Sequence, residues 1–441
     1  MDQVITEKID LIFADVDRED SPGCAVGIVQ DQELIYTRGF GMANLECSTP
    51  ISATSIFHVA SVSKQFTCMA ILLLAAEGKL SIDDDVHTHI PELPDYGDVI
   101  TLRHLVHHTS GLRDQWDLLR IAGWREDDVK TNEDMLYLAC RQRALNFRPG
   151  DEFLYSNTGY TFLALIVERL MGVSFRAFTH ARIFEPLGMS DTHFHDDHTE
   201  LVVGRTSAYV PIGQKYQVKI PMFDTVGATS LFTTVEDLAR WHTNFETGVV
   251  GNVVFDKMHE RGILNCGKQI TYAFGLSVDT HRGLKSVQHS GADAGYRSHF
   301  TRFPDQGTAI IVLSNLSTAN PGGRVRQMTD VYFKDVLEPS PQSETSPAVS
   351  ETVFEVEIFR ADYVGTYYCA DVDATYTILD EDGDLVVRHY KRQKYVLDAE
   401  AEDAFRGKPE SWKFQRSADG CVCGASVSTG RVRNLWFARR G

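Results

Sequence analysis

Cationic residues are in short supply: 43 Lys and Arg stand against 61 Asp and Glu, for a formal net charge of -18. Such a field repels phosphate backbones, so nucleic acid is not an expected partner. It is compatible with cationic or amine-bearing substrates. Long apolar runs are also lacking. The most apolar stretch, MAILLLAA from Met69, is too short to span a bilayer, and no membrane partner is expected. The N-terminus has no basic segment leading into an apolar core, so it does not read as a secretory signal. Cysteine is sparse, with 8 in 441 residues. The expectation is reduced thiols in a cytoplasmic protein. There are no repeats of solenoid length.

What is present suits a soluble protein of two or three domains, with 43% hydrophobic and 24% charged residues. Val4, Ile5, Ile9, Ile12, Phe13 and Val16 recur at helical spacing. Cys24 to Gln30 and Glu33 to Gly39 read as a hairpin with a polar turn at Asp31. A second strand pair, Ser298 to Phe303 and Thr308 to Ser314, flanks a Pro-Asp-Gln-Gly turn, and Arg324 to Leu337 is helical again. The long middle is mostly helical in pattern. This predicts an α/β (α+β) unit over 1–337: one antiparallel sheet assembled from both ends, flanked by helices, with a helical subdomain. Residues 338–352 are rich in Ser, Pro and Thr and read as a linker. From 353 to 441, short alternating runs are separated by Asp382-Gly383, Asp419-Gly420 and Thr429-Gly430. They predict a small antiparallel β-barrel or sandwich.

Three segments carry candidate chemistry. In His58-Val-Ala-Ser61-Val-Ser-Lys64, the serine opens an apolar helix and the lysine lies one turn on, on the same face. A serine hydroxyl needs an adjacent base, and a lysine serves if its pKa is depressed. The bare spacing equally fits an N-cap serine followed by a surface lysine. In RPGDEFLYSNTGY, a Pro-Gly turn delivers Tyr155 as a proton relay and Asn157 as an amide that orients substrate or lysine. A packed loop tyrosine is the bland alternative. In His289-Ser290-Gly291-Ala292, at the end of a strand-like run, Gly291 lets a substrate lie close to the strand. The backbone N–H groups of Ser61 and Ala292 are then the expected oxyanion hole. A turn histidine without a role is the alternative there.

Taken in chain order, SVSK, YSN and HSG resemble the S-x-x-K, S-D-N and K-T-G set of β-lactamases and penicillin-binding proteins. LVHHTSGL, EPLGMSDT and TTVEDLARW extend the resemblance to the serine β-lactamase-like superfamily over about residues 20 to 335. His289 in place of the usual lysine, with the segments ADYVGTYY and GRVRNLWF, is most similar to D-aminopeptidase-type serine peptidases and family VIII-type esterases. That resemblance implies Ser61 as nucleophile, Lys64 as general base, Tyr155 as relay, Asn157 and His289 as substrate-binding residues, and a lipocalin-like barrel at the C-terminus. It implies hydrolysis of short D-amino-acid peptides, amides or esters through an acyl-enzyme. Carboxylesterase, acyltransferase or penicillin-binding activity are alternatives, and a non-enzymatic scaffold is the remaining one. A largely neutral His289 grips a carboxylate less well than lysine, so carboxypeptidase and β-lactamase activity lose support.

No cofactor or metal is expected, and the polar tract His193-Phe-His195-Asp-Asp-His198 is read as a loop. His107 and His108 are expected to pack a loop. Cys421 and Cys423 are expected in a strand's core-facing side, and Asp293 and Arg297 are candidates for the pocket wall. The expected partner is a small molecule or short peptide, with homo-oligomerisation left open.

Overall fold

The computed structural model describes residues 1–339 and 359–440. Most of the expected linker, from 340 on, lies outside the described residues. Six antiparallel strands form the main sheet, in the order Ser277–His281, Leu284–Asp293, Tyr296–Phe303, Thr308–Ser314, Cys24–Gln30 and Glu33–Phe40. Strands from both ends of the segment meet where Cys24 pairs with Ser314. Side chains alternate between the two faces of a strand. Thus Val26, Ile28, Ile310 and Val312 share a core with Ile9 and Met328 of the helices Gln3–Ile12 and Pro321–Tyr332. Ala25, Val29, Ile311 and Leu313 face the opposite layer, with Val235 and Leu238 of helix Val235–Thr247. Burial on both faces is why these strands read as unbroken apolar runs.

Behind that layer lies the helix Lys64–Ala76, with ten of its 13 residues buried. A helix apolar on every side belongs at the centre of a core. It ends at Glu77, followed by Gly78 at φ +70°, where a left-handed residue releases the chain. Among the described residues no helix is long and apolar enough to cross a membrane.

The C-terminal part is a closed barrel of eight consecutive antiparallel strands, from Gly365–Cys369 to Leu435–Arg440, the last pairing with the first. Its interior is filled by aromatic side chains, including Tyr367, Tyr376, Trp412, Phe414 and Phe437. The same core takes in Leu118, Leu119 and Ile121 of helix Gln115–Ile121, and Met135 and Leu138 of helix Asn132–Cys140. Two helices of the helical subdomain therefore pack into the barrel. Buried ion pairs complete the junction: Arg113 Nη1 lies 3.1 Å from Asp371, and Glu410 lies 2.5 Å from Arg120 and 3.0 Å from Arg392.

Two expectations need correction. His289 to Ala292 do not end a strand; they lie inside Leu284–Asp293, which pairs with Tyr296–Phe303 throughout. Ser and Gly lower β-propensity locally, but the ladder overrides it. Cys421 and Cys423 are exposed: Cys421 precedes the strand Val422–Ser428, and within it Val422 takes the inward position and Cys423 the outward one. A one-residue change of phase moves a side chain to the other face.

Candidate active site

Ser61 lies in a short 3-10 turn, Ala60–Ser63, immediately before helix Lys64–Ala76. Ala60 is held at φ +48°, a left-handed conformation that costs a residue with a Cβ on the order of 1–2 kcal/mol. The turn is fastened by Ser63, whose hydroxyl donates to the Ala60 carbonyl and accepts from the Leu231 N–H at 3.1 Å. Strand Leu284–Asp293 runs beside this turn. A Cβ on Gly291 would lie 2.2 Å from the Val59 carbonyl oxygen. Gly291 is therefore needed for the close approach of strand and turn, and it is not among the residues lining the cavity at Ser61.

Lys64 is 0% exposed and its Nζ reaches three acceptors: Ser61 Oγ at 3.0 Å, Asn157 Oδ1 at 2.9 Å and the Ala228 carbonyl at 2.6 Å. Burial pushes its pKa down to about 7, with the Asp114 carboxylate opposing the shift and Arg431 adding to it. A neutral lysine keeps two N–H groups and one lone pair. The Asn157 and Ala228 oxygens hold the N–H groups, so the lone pair is left facing Ser61 Oγ. Asn157 is itself oriented: its backbone N–H and its Nδ2 both donate to Asp114 Oδ2 at 2.7 Å. That fixes its amide with Oδ1 toward the lysine. Asp114 also caps helix Gln115–Ile121 through the Trp116 N–H.

The ring of Tyr155 lies 4.9 Å from Lys64 Nζ. Burial raises the phenol above its ordinary pKa, while the nearby Ser61 hydroxyl opposes the shift slightly. At neutral pH it is a proton donor and Lys64 is the better base. His108 stacks on Tyr155 with centroids 4.1 Å apart, and its Nδ1 accepts from the Ser156 N–H. It is a packing residue, as expected, and it sets the position of the phenol. His289 Nδ1 lies 2.7 Å from the Ser290 carbonyl and so carries the proton; its Nε2 accepts from Tyr272 Oη at 2.9 Å. Burial and Lys64 push its pKa down to about 3. This histidine is neutral and offers a carboxylate no charge.

Ser61, Tyr155, Asn157, His289, Ala292 and Asp293 line one cavity of about 320 Å³, together with Trp116, Thr229 and Arg431. Arg297 does not line it; its guanidinium is spent on the Ala294 and Tyr296 carbonyls. Arg431 comes from the barrel. Its guanidinium lies 5.0 Å from the Tyr155 ring centroid and 3.8 Å from Asp114. The loop carrying it is pinned by Asn146, which accepts from the Arg433 N–H and donates to the Arg431 carbonyl, and by Asp117, which accepts from the Arg431 N–H. Asp114, Trp116 and Arg431 were missed in the sequence because none belongs to the three motif segments. Only Asp114 had a local signal, as the N-cap of a short apolar helix.

A family model described as "Beta-lactamase" matches residues 3–331. The chain belongs to the beta-lactamase family. It is 30% identical over 304 residues to penicillin-binding protein 4* of Bacillus subtilis (strain 168), an alignment covering 64% of this chain and 66% of that one. It is 26% identical over 301 residues to a D-aminopeptidase of Gluconobacter oxydans (strain 621H), covering 68% and 56%. The chain thus spans less than two thirds of the length of these curated relatives. The fold is similar over its whole length to the octameric penicillin-binding protein homologue from Pyrococcus abyssi, at TM-score 0.64 and 23% identity, covering 99% and 98%.

The histidine tract contributes to two groups of ligand-type side chains, His193 with His195 and Glu200, and Asp197 with His198 and Asp224. In the first, Arg176 already holds both Glu200 oxygens. In the second, His198 and Asp224 pair directly at 2.9 Å. Neither group borders the Ser61 cavity.

Proposed function

We propose that this member of the beta-lactamase family hydrolyses short D-amino-acid peptides, amides or esters through an acyl-enzyme on Ser61. One observation carries the reading: a buried lysine, 3.0 Å from a serine hydroxyl, whose other donors are committed to the Asn157 and Ala228 oxygens. Neutral Lys64 takes the Ser61 proton as Oγ bonds to the substrate carbonyl carbon. The oxyanion is received by the backbone N–H groups of Ser61 and Ala292. Tyr155 donates a proton to the departing amine or alkoxide, and Lys64 returns one to Tyr155, leaving the acyl-enzyme. In deacylation the same two groups deprotonate water and reprotonate Ser61. Asn157 anchors the substrate amide, and Gly291 acts indirectly, by letting strand and nucleophile turn approach.

The preference for substrates without a carboxylate at the His289 end rests on the neutrality of that ring. The preference for D-aminoacyl groups rests on the likeness to D-aminopeptidases. The barrel shapes access through Arg431. Self-association, the reported state of the archaeal fold relative, is checked by light scattering. The test of the chemistry uses p-nitrophenyl butyrate, D- and L-alanine p-nitroanilides and a chromogenic cephalosporin, with an added amine acceptor in parallel. Ser61→Ala is expected to lose kcat by roughly 10⁴-fold or more on every substrate turned over. Retained turnover in that variant sinks the acyl-enzyme; transfer product with the amine shifts the reading to an acyltransferase, and ester turnover alone to a carboxylesterase.

A further inference from the structure

The Ser61 cavity adjoins a second, larger cleft of about 640 Å³, and the two share Trp116 and Asp293 in their walls. The floor of the larger cleft is apolar, made by Trp116, Leu119, Trp124, Ile220, Met222 and Phe223. Its size falls within the range of small-molecule sites. Its rim is charged, but the charges are mostly satisfied. Arg120 is engaged by Glu410 and Asp117, Arg125 by Asp127 and Asp128, and Lys219 by Glu126. Lys130 Nζ donates to the Glu126 and Asp128 carbonyls.

Asp293 is the exception. Among the described residues it is the cleft's one carboxylate without a cationic side chain within ion-pair distance. Its side chain accepts from Thr229 Oγ1 at 3.2 Å, and the Ala294 N–H also favours its anion. The nearby Arg297 guanidinium is turned onto backbone carbonyls. Burial raises the Asp293 pKa to about 6, with Arg297 and Lys130 opposing the shift from a distance, so at neutral pH the group is an anion with no direct ion pair.

We propose that the acyl part of the substrate carries an ammonium group that pairs with Asp293, beside a bulky apolar side chain that fills the cleft of Trp116, Leu119, Trp124 and Met222. This rests on the Ser61 acyl-enzyme reading and names its substrate class: α-aminoacyl groups with large aromatic or aliphatic side chains. The geometry follows from the substrate. An α-ammonium and an α-side chain leave the same carbon, next to the scissile carbonyl. Asp293 lines both the Ser61 cavity and the apolar cleft, so both substituents meet matching surfaces from one bound position. His289, four residues back along the same strand, lies about 13 Å away at 3.3 Å per residue and faces the departing group.

The test measures the rate at which Ser61 is covalently labelled, by intact mass, with three diphenyl phosphonates. One has a 1-amino-2-phenylethyl group, the second lacks the amine, and the third has a 1-aminoethyl group. Each ratio of rates is taken in wild type and variant, so that intrinsic probe reactivity cancels. Asp293→Asn is expected to lower the amine to desamino ratio about tenfold or more while the desamino probe still labels. Met222→Trp is expected to lower the phenylethyl to aminoethyl ratio by a similar factor, by filling the cleft. Unchanged ratios in both variants overturn the proposal, as does a wild type that labels with a fluorophosphonate at Ser61 but with none of the three probes. If the fluorophosphonate itself fails to label Ser61, the acyl-enzyme reading falls and takes this proposal with it.

Discussion

Two of the protein's buried cations, Lys64 and Arg113, are treated in opposite ways. Lys64, at Ser61, has no carboxylate within ion-pair distance among the described residues; its contacts are neutral oxygens, and its pKa falls to about 7. Arg113, at the junction of helical subdomain and barrel, meets Asp371 at 3.1 Å and donates to Gln142 and to the Arg433 and Asn434 carbonyls. Burial lowers its pKa as well, but a guanidinium so partnered stays charged. Glu410, 0% exposed between Arg120 and Arg392, belongs with Arg113. A buried charge left without a counter-ion becomes titratable near neutrality and available for chemistry. A buried charge that is paired holds two surfaces in register.

That contrast breaks most visibly at Lys64. Lys64→Arg replaces a titratable amine by a group that stays protonated, and turnover is expected to fall roughly 10³-fold or more. The wild type is expected to show kcat/KM rising with pH through an apparent pKa of about 7, because the base is the neutral form and the folded pKa is depressed to that value. A profile flat from pH 5 to 9 in wild type would count against Lys64 as base. At the junction the expected loss is of stability. Arg113→Ala takes the buried partner from Asp371, leaving it only the exposed Arg143 at 3.4 Å, and is expected to cost about 3 kcal/mol in denaturant unfolding. A cost below about 1 kcal/mol would mean that water enters the junction and screens the pair. The smallest effect is expected where the two regions touch. Arg431 lowers the Lys64 pKa from the barrel side. Arg431→Ala should move the acid limb of the kcat/KM profile to higher pH, with the unfolding midpoint nearly unchanged, since its contact with Asp114 is long and the side chain is 43% exposed. An unmoved limb would confine Arg431 to shaping the cavity.

Much of the architecture was legible because it is written in local periodicity. The strands Cys24–Gln30 and Thr308–Ser314 occupy the residues that their apolar runs predict. The Asp382-Gly383 turn joins the barrel strands Ala374–Glu381 and Asp384–His389 as expected. Where two signals competed, the sequence misled: HSG looked like a strand end, and Cys421 and Cys423 looked inward-facing. The three motif segments are brought together, and Ser61, Lys64, Tyr155, Asn157 and His289 share one small region. The reason expected for Gly291 gave way to a packing one.

The sequence alone determined the pieces that depend on near neighbours: the serine and lysine one helical turn apart, the turn before Tyr155, and the alternation of the barrel strands. Those follow from backbone geometry and side-chain size over a few residues. Only the tertiary structure decided which charges are paired. Asp114 reaches Asn157 across 43 positions, and Arg113 reaches Asp371 across 258. It also decided that the subdomain helices pack into the barrel core, that Arg431 enters the cavity, and that Asp293 has no direct ion pair among the described residues. Desolvation and Coulomb energy depend on what lies within a few ångströms in space, and no spacing along the chain records that.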